Sequence, residues 1–247
     1  MYWFNKNGNP SLDTPEGIKT ATEYVATKAW SHPDVLSWTY AEGYTGLGSG
    51  TTAHLTTYTN VSKFVDRFNP DGSPASPAAG KLDAYIPPGV KHGSKLVLRS
   101  VIYFNLTATV SPKSANTEAA YLFLQWLSST RTFSWMAGNP TGYFDPAQKA
   151  NFAEPLVEQT YHPYMMDTIQ ETIKRSVPTI NFAGQTALDA ALDEELQAAI
   201  TGQKSPEAAM KAASQKWRRI IQRKGEAKMI PIINASRDAW PTVIDEV

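Results

Sequence analysis

Residues 117–127 read Thr-Glu-Ala-Ala-Tyr-Leu-Phe-Leu-Gln-Trp-Leu, a helical run that is apolar nearly all round. A helix with apolar side chains on every face has no solvent side, so this one is expected to be well buried. Ser114 or Asn116 is placed to cap it, and Glu118 suits its first turn. Just before it, Leu96 to Val110 is rich in β-branched and aromatic residues and predicts the best strand of the chain, stopped by Ser111-Pro112. A strand followed by an all-apolar helix calls for a layered core, and the fold class expected is α/β with helices in excess.

Elsewhere the pattern is also helical. Thr14-Pro15-Glu16 is a cap, a first-turn proline and an acid, and Ile18, Ala21, Val25 and Ala29 share a face behind it. Leu188, Leu192, Leu196 and Ile200 form another stripe, with Gly202 as its stop. Ser205-Pro206-Glu207 opens a third helix, whose stripe is Met210, Ala213, Trp217, Ile220 and Ile221. Residues 31–50 read as an aromatic loop, 50–60 as a strand or strand end, 81–86 as a short strand and Met229 to Ile233 as another.

The chemistry carried by the chain is sparse. Lys and Arg together number 23 and Asp and Glu 23, so no basic surplus supports general nucleic-acid binding. The cluster Lys216-Trp217-Arg218-Arg219 with Arg223-Lys224 lies in the last turns of a helix, where cations complement the dipole. The absence of cysteine removes thiolate metal sites and cysteine nucleophiles. His32, His54, His92 and His162 are isolated from one another, so neither a metal site nor a cofactor is expected. Gly46-Leu47-Gly48-Ser49-Gly50 lacks the lysine of a phosphate cradle and reads as a turn. Asp189, Asp193, Glu194 and Glu195 stand near a helix start, where acids are stabilising without any catalytic role.

Aromatic residues are the more informative class. Trp38, Tyr40, Tyr58, Tyr143 and Tyr161 lie in polar, turn-rich stretches and not on apolar faces. Rings beside Asn, Asp and Thr suit sugars, because the ring covers the C–H face while amides and hydroxyls bond the sugar hydroxyls.

Five stretches, in order, carry a family likeness. They are Phe4 to Pro10 with Asp13-Thr14-Pro15-Glu16-Gly17; Gly50-Thr51-Thr52-Ala53-His54; Leu106 to Pro112 with Asn116 to Leu127; Gly138-Asn139-Pro140-Thr141; and Gly202 to Met210 with Trp217. Together they resemble the second half of the family 1 extracellular solute-binding proteins of ABC importers, the group that includes maltose-binding protein. His54 stands where the family's "G-x-x-A-M" element has methionine. The resemblance implies a periplasmic-binding-protein-like fold of two lobes joined by a hinge, with solute held in the cleft between them. It implies a chain that lacks the N-terminal part, with 1–95 in lobe 2, 96–165 in lobe 1, and 166–247 as a helical return to lobe 2.

Carried onto this sequence, the family's ligand contacts fall on three patches. These are Tyr58, Thr59 and Asn60; Tyr103, Phe104 and Asn105; and Asn139, Thr141 and Tyr143, with Asn181 and Gln185 as weaker candidates. The implied function is capture of a small solute, a sugar or polyol, in the periplasm, or outside the cell in association with the membrane, for a membrane permease, with contact to the membrane only through that permease and no catalysis. Two alternatives stand beside it. One is a glycosidase using Asp145 as its best loop acid. The other is a half-protein that needs a partner chain.

Overall fold

The computed structural model describes residues 3–86, 88–92, 95–98, 100–101, 111, 113, 115–177, 180 and 182–238. In chain order the helices are α1 (Pro15–Ala26), α2 (Tyr40–Ser49), α3 (Val61–Val65), α4 (Thr117–Leu127), α5 (Thr130–Ala137), α6 (Pro155–Thr160), α7 (Pro163–Arg175), α8 (Gln185–Ile200), α9 (Pro206–Lys224) and α10 (Glu226–Asp238). The strands are short: β1 (Pro88–His92), β2 (Lys95–Leu98), β3 (Ser100–Val101) and β4 (Ser176–Val177). The chain divides into two compact units, one of residues 3–36 with 177–238, the other of 37–176.

The first unit is built from α1, α8, α9 and α10 around Trp217. Its indole is fully buried, stacks on Phe4 at 5.1 Å and donates from Nε1 to the Leu188 carbonyl at 2.7 Å. The stripe Met210, Ala213, Trp217, Ile220 and Ile221 of α9 is buried as its spacing predicts. Ser205 Oγ accepts from Ala208 N, and Thr14 Oγ1 accepts from Gly17 N, the caps expected for α9 and α1. Each such cap contributes about 1 kcal/mol.

In α8 the buried residues are Leu188, Ala191, Glu195 and Ala199, with Leu192 and Leu196 partly buried beside them. The helix is thus turned from the all-leucine stripe. The reason is Glu195, whose buried carboxylate is met by Lys204 at 2.5 Å and Lys216 at 2.7 Å. Burial works to raise its pKa, and the two lysines outweigh that and hold it low. Gly202 closes the helix with φ near +82°, and Gln203 N reaches back to the Ala198 carbonyl.

The strand expected over Met229 to Ile233 is helical instead, within α10. Met229 and Ile233, one turn apart, are both buried in the Trp217 core. Their burial favours the helix despite Pro231 inside it.

The second unit holds two small cores. Tyr44, Val61 and Val65 form one; Ala137, Val157, Tyr161, Met165, Met166 and Ile169 form the other. Residues 40–49, expected as loop, are α2. Its glycines read as breakers, yet they let other chain segments approach. A Cβ on Gly46 would lie 3.1 Å from the Trp38 ring, and one on Gly48 would lie 3.2 Å from Val65. Close packing here offsets the ~1 kcal/mol that each glycine costs a helix. Thr39 caps α2 in a reciprocal box with Glu42.

The strands expected at 50–60 and 81–86 are absent, and both segments are irregular. Thr59 and Asn60 instead lead into α3, spending their polar groups on side-chain bonds and not on a ladder. Of the strand expected over 96–110, β2 and β3 fall within the described residues, while 99 and 102–110 lie outside them. β2 pairs antiparallel with β1.

The largest departure is α4. Its bounds are those expected, but none of its residues is buried, and Tyr121, Leu122, Phe123 and Trp126 are each 55–58% exposed. Helix formation there follows from local propensity. Burial depends on what packs against the helix, and among the described residues its contacts are mainly to the following α5.

Candidate functional site

The second unit joins two of the three patches singled out from sequence. Asn60, at the start of α3, is buried and both ends of its amide are used. Oδ1 accepts from the Tyr44 hydroxyl at 2.8 Å, and Nδ2 donates to the Tyr143 carbonyl at 2.6 Å. Thr59 Oγ1 donates to Asp145 Oδ2 at 2.8 Å, and Asn60 N donates to the same oxygen at 3.2 Å. The other carboxylate oxygen accepts from the Tyr161 hydroxyl at 2.5 Å. Asp145 is therefore a buried acceptor that ties 59–60 to the loop carrying Tyr143.

Lys63 lies beneath that loop and is fully buried. Its ammonium donates to the Ala137 carbonyl at 3.0 Å and the Phe144 carbonyl at 2.6 Å, and sits 5.2 Å from the centre of the Tyr161 ring. Ala137 is the last residue of α5, so the cation also meets the negative end of that helix. Burial pushes Lys63 down to about 8, against the upward pull of the Asp145 carboxylate. Burial likewise pushes the Asp145 carboxyl up, against the hydrogen bonds from Tyr161 and Thr59 and the Lys63 charge. Low polarity disfavours both charges, and each is offset by donors or acceptors aimed at it.

Above this polar layer lie rings. Tyr143 packs on Phe64 at 4.9 Å and meets Tyr40 edge-on at 6.1 Å, yet it is 58% exposed. Tyr40 in turn touches Tyr44 at 5.8 Å. The Tyr143 hydroxyl is pushed up by the neighbouring Tyr40 phenol. Burial raises Tyr44, and the nearby Tyr58 phenol is among the smaller causes. Tyr40 and Tyr143 thus present exposed rings beside the buried layer, and Tyr58, also exposed, directly precedes Thr59.

The remaining residues of the third patch form the turn beside Tyr143. Asn139 Oδ1 accepts from Thr141 N and from Thr141 Oγ1, both at 3.0 Å, and Gly142 N returns to the Asn139 carbonyl at 2.9 Å. Thr141 is exposed. Tyr103, Phe104, Asn105 and Asn181 lie outside the described residues, and Gln185 opens α8 in the first unit.

Sequence reasoning missed Lys63 and Phe64, which sit in an unremarkable Val-Ser-Lys-Phe-Val run. Tyr40 and Tyr44 were visible as aromatics but assigned to a loop. Asp66 is a second buried acid of this unit, accepting from the Tyr164 hydroxyl and from Gly80 N at 2.6 Å. His162 Nε2 donates to the Asp66 carbonyl at 2.7 Å and its ring stacks on Tyr164. In the first unit two members of the basic cluster form ion pairs, Lys216 with Glu194 and Glu195, and Arg218 with Asp13 at 2.9 Å. Among the described residues no group of three metal-ligating side chains converges.

A sequence model of the bacterial extracellular solute-binding proteins matches residues 1–132. The chain belongs to that family. The fold agrees. This solute-binding protein is similar to the maltose-bound MalE3 protein of T. maritima, at 19% identity and a TM-score of 0.66, over 89% of this chain and 54% of that one. It is similar also to an ABC transporter solute-binding protein of Agrobacterium vitis S4 solved with bound D-mannitol, at 20% identity and a TM-score of 0.67, over 91% of this chain and 55% of that one. No curated protein sequence matches the chain. The fold is thus periplasmic-binding-protein-like, and the chain spans about half the length of these relatives. None of its described helices is long and apolar enough to cross a membrane.

Proposed function

We propose that the ring shelf of Tyr40, Tyr58 and Tyr143 binds a sugar or polyol, which the protein delivers to the permease of an ABC importer from the periplasmic side. The observation carrying this reading is Tyr143, an exposed ring fixed between Tyr40 and Phe64 above a buried polar layer. A ring held in place loses little freedom on stacking against a ligand, while Thr141 and Asn139 beside it in the chain, and Thr59 bonded to Asp145 two residues further on, would bond hydroxyls. Tyr103 and Asn105 join this set on the family resemblance. Maltose and D-mannitol, bound by the two similar structures, are uncharged polyhydroxy ligands that suit such a surface. Delivery to a permease rests on the family.

The reading includes no catalysis. Asp145, the acid a glycosidase would use, has both oxygens engaged by Tyr161, Thr59 and Asn60. Three hydrogen bonds suit a structural acceptor better than a proton donor to substrate.

Thermal melts of the chain with maltose, D-mannitol and a set of amino acids test the proposal. A ligand at a hundredfold over its Kd adds about 2.7 kcal/mol, a rise of roughly 5 °C or more for a protein of this size. Tyr143→Ala is expected to weaken binding about tenfold, the ~1.4 kcal/mol of one lost ring contact. No shift with any polyhydroxy ligand, or a shift that survives Tyr143→Ala unchanged, rules it out.

A second reading is favoured by α4. Four large apolar side chains exposed on one helix are an adhesive surface, and the chain spans about half its structural relatives. On this reading further polypeptide covers α4 before the protein is complete. The isolated chain is then expected to self-associate in light scattering, and the pair Phe123→Lys with Trp126→Lys to return it to monomer. A monodisperse wild-type monomer that binds no hydrophobic dye ends this reading.

A further inference from the structure

The loop that carries Asn139, Thr141 and Tyr143 has its two ends held by one side chain. Lys63 donates to the carbonyl of Ala137, before the loop, and to that of Phe144, at its far end. It comes from α3, more than seventy residues earlier in the chain, and it is fully buried, so no ligand on the surface can touch it. The other ties each hold one part of the loop: the Tyr161 hydroxyl donates to the Phe144 carbonyl at 3.2 Å, and the Asp145 carboxylate just beyond it accepts from Tyr161, Thr59 and Asn60. Thr160 Oγ1 donates to the Gly138 carbonyl at 2.6 Å, and Asn60 Nδ2 donates to the Tyr143 carbonyl. Carbonyl oxygens this deep need a donor, and a three-proton ammonium can serve two at once and still face the Tyr161 ring.

We infer that Lys63 is a positioning residue: its buried ammonium, bridging the Ala137 and Phe144 carbonyls, sets the orientation of Tyr143 and with it the affinity of the shelf. Removing a buried cation leaves its acceptors short of a donor and costs stability, so a loss of stability in Lys63→Met does not by itself decide the role of the residue; the position of Tyr143 does. Its use here is geometric, since one ammonium bonds carbonyls at both ends of the turn that carries Tyr143. The effect on affinity rests on the proposed sugar or polyol site; the effect on Tyr143 does not.

The test uses the 247-residue chain with a fluorotyrosine placed at position 143. The wild type is expected to show one narrow ¹⁹F resonance. Lys63→Met, with unchanged far-UV circular dichroism, is expected to shift or broaden it and to weaken D-mannitol or maltose binding about tenfold. Because the chain has no cysteine, Lys63→Cys offers a chemical rescue. Alkylation with 2-bromoethylamine in denaturant, followed by refolding, restores an ammonium of nearly the same reach, and propyl bromide gives a neutral chain of similar length. The ammonium form is expected to recover the wild-type resonance, and the neutral form not to.

A Tyr143 resonance identical in wild type, Lys63→Met and the propyl form overturns the inference. So does failure of both neutral forms to fold while the ammonium form folds, since Lys63 would then support the unit and not the loop. If the wild type binds neither ligand, the proposed function fails on its own, and the resonance still decides the role of Lys63.

Discussion

Trp217→Ala is expected to unfold the first unit under conditions where the wild type is stable. The indole is fully buried, stacks on Phe4 and is tilted against Trp3 at 6.1 Å. Removing a buried tryptophan costs about 3–5 kcal/mol in lost transfer energy and residual cavity. Losing the bond from Nε1 to Leu188 adds about 1 kcal/mol. That total is comparable with the whole stability of a domain this size. Trp217→Phe separates the two parts, because it keeps a ring against Phe4 and gives up the hydrogen bond. Amide exchange in α8 and α9 reads the first unit alone, which a single melting curve of a two-unit chain does not. Unchanged protection in α8 and α9 of Trp217→Ala would mean that the centre of this core lies elsewhere.

Asp145→Ala is expected to have the second largest effect, on the other unit. It removes the acceptor of Tyr161, Thr59 and Asn60 together, and it leaves the buried Lys63 charge without the carboxylate that stabilises it. Unsatisfied buried donors cost about 1–3 kcal/mol each, and neighbours in one network do not add, so a loss of about 3–5 kcal/mol is expected. Asp145→Asn should cost less, since one side-chain oxygen remains to accept, while Lys63 loses its carboxylate in both variants. Urea unfolding followed through amide exchange in α3 and α7 measures both. The same variants separate structure from catalysis. An acid that acts on substrate would lose turnover of an aryl glycoside at unchanged stability, and an acid that joins 59–60 to the Tyr143 loop loses stability first.

The helices that sequence placed well are those with punctuation at their ends. Thr14-Pro15, Ser205-Pro206 and Gly202 are caps and stops whose bonds form within three to five residues, so no distant partner is needed to read them. The stripe of α9 was legible for the same reason, as its period is local. Misplacements came where packing overrode propensity. The glycines of α2 read as a turn until Trp38, Val65 and Leu55 are seen against them. The Met229 to Ile233 run reads as a strand until its two buried members are found on one helical face.

Within the candidate site, Tyr58, Thr59 and the Asn139 to Tyr143 turn were legible as aromatics and hydroxyls in polar stretches. Asn60 was legible as a polar residue, but its saturation by Tyr44 and Tyr143 was not. Lys63 carried no signal at all, because a lysine in a Val-Ser-Lys-Phe-Val run is an ordinary surface pattern until the chain folds over it.

Local chemistry therefore settled the ends of the capped helices, the apolar periods and the ordered motifs that mark an extracellular solute-binding protein. Tertiary structure decided which groups became buried and what they met. Asp145 finds Thr59 and Lys63 finds Phe144 across some eighty intervening residues, and α4 keeps its predicted bounds while none of its residues is fully buried. Helix formation depends on neighbours along the chain, whereas burial and hydrogen-bond pairing depend on neighbours in space.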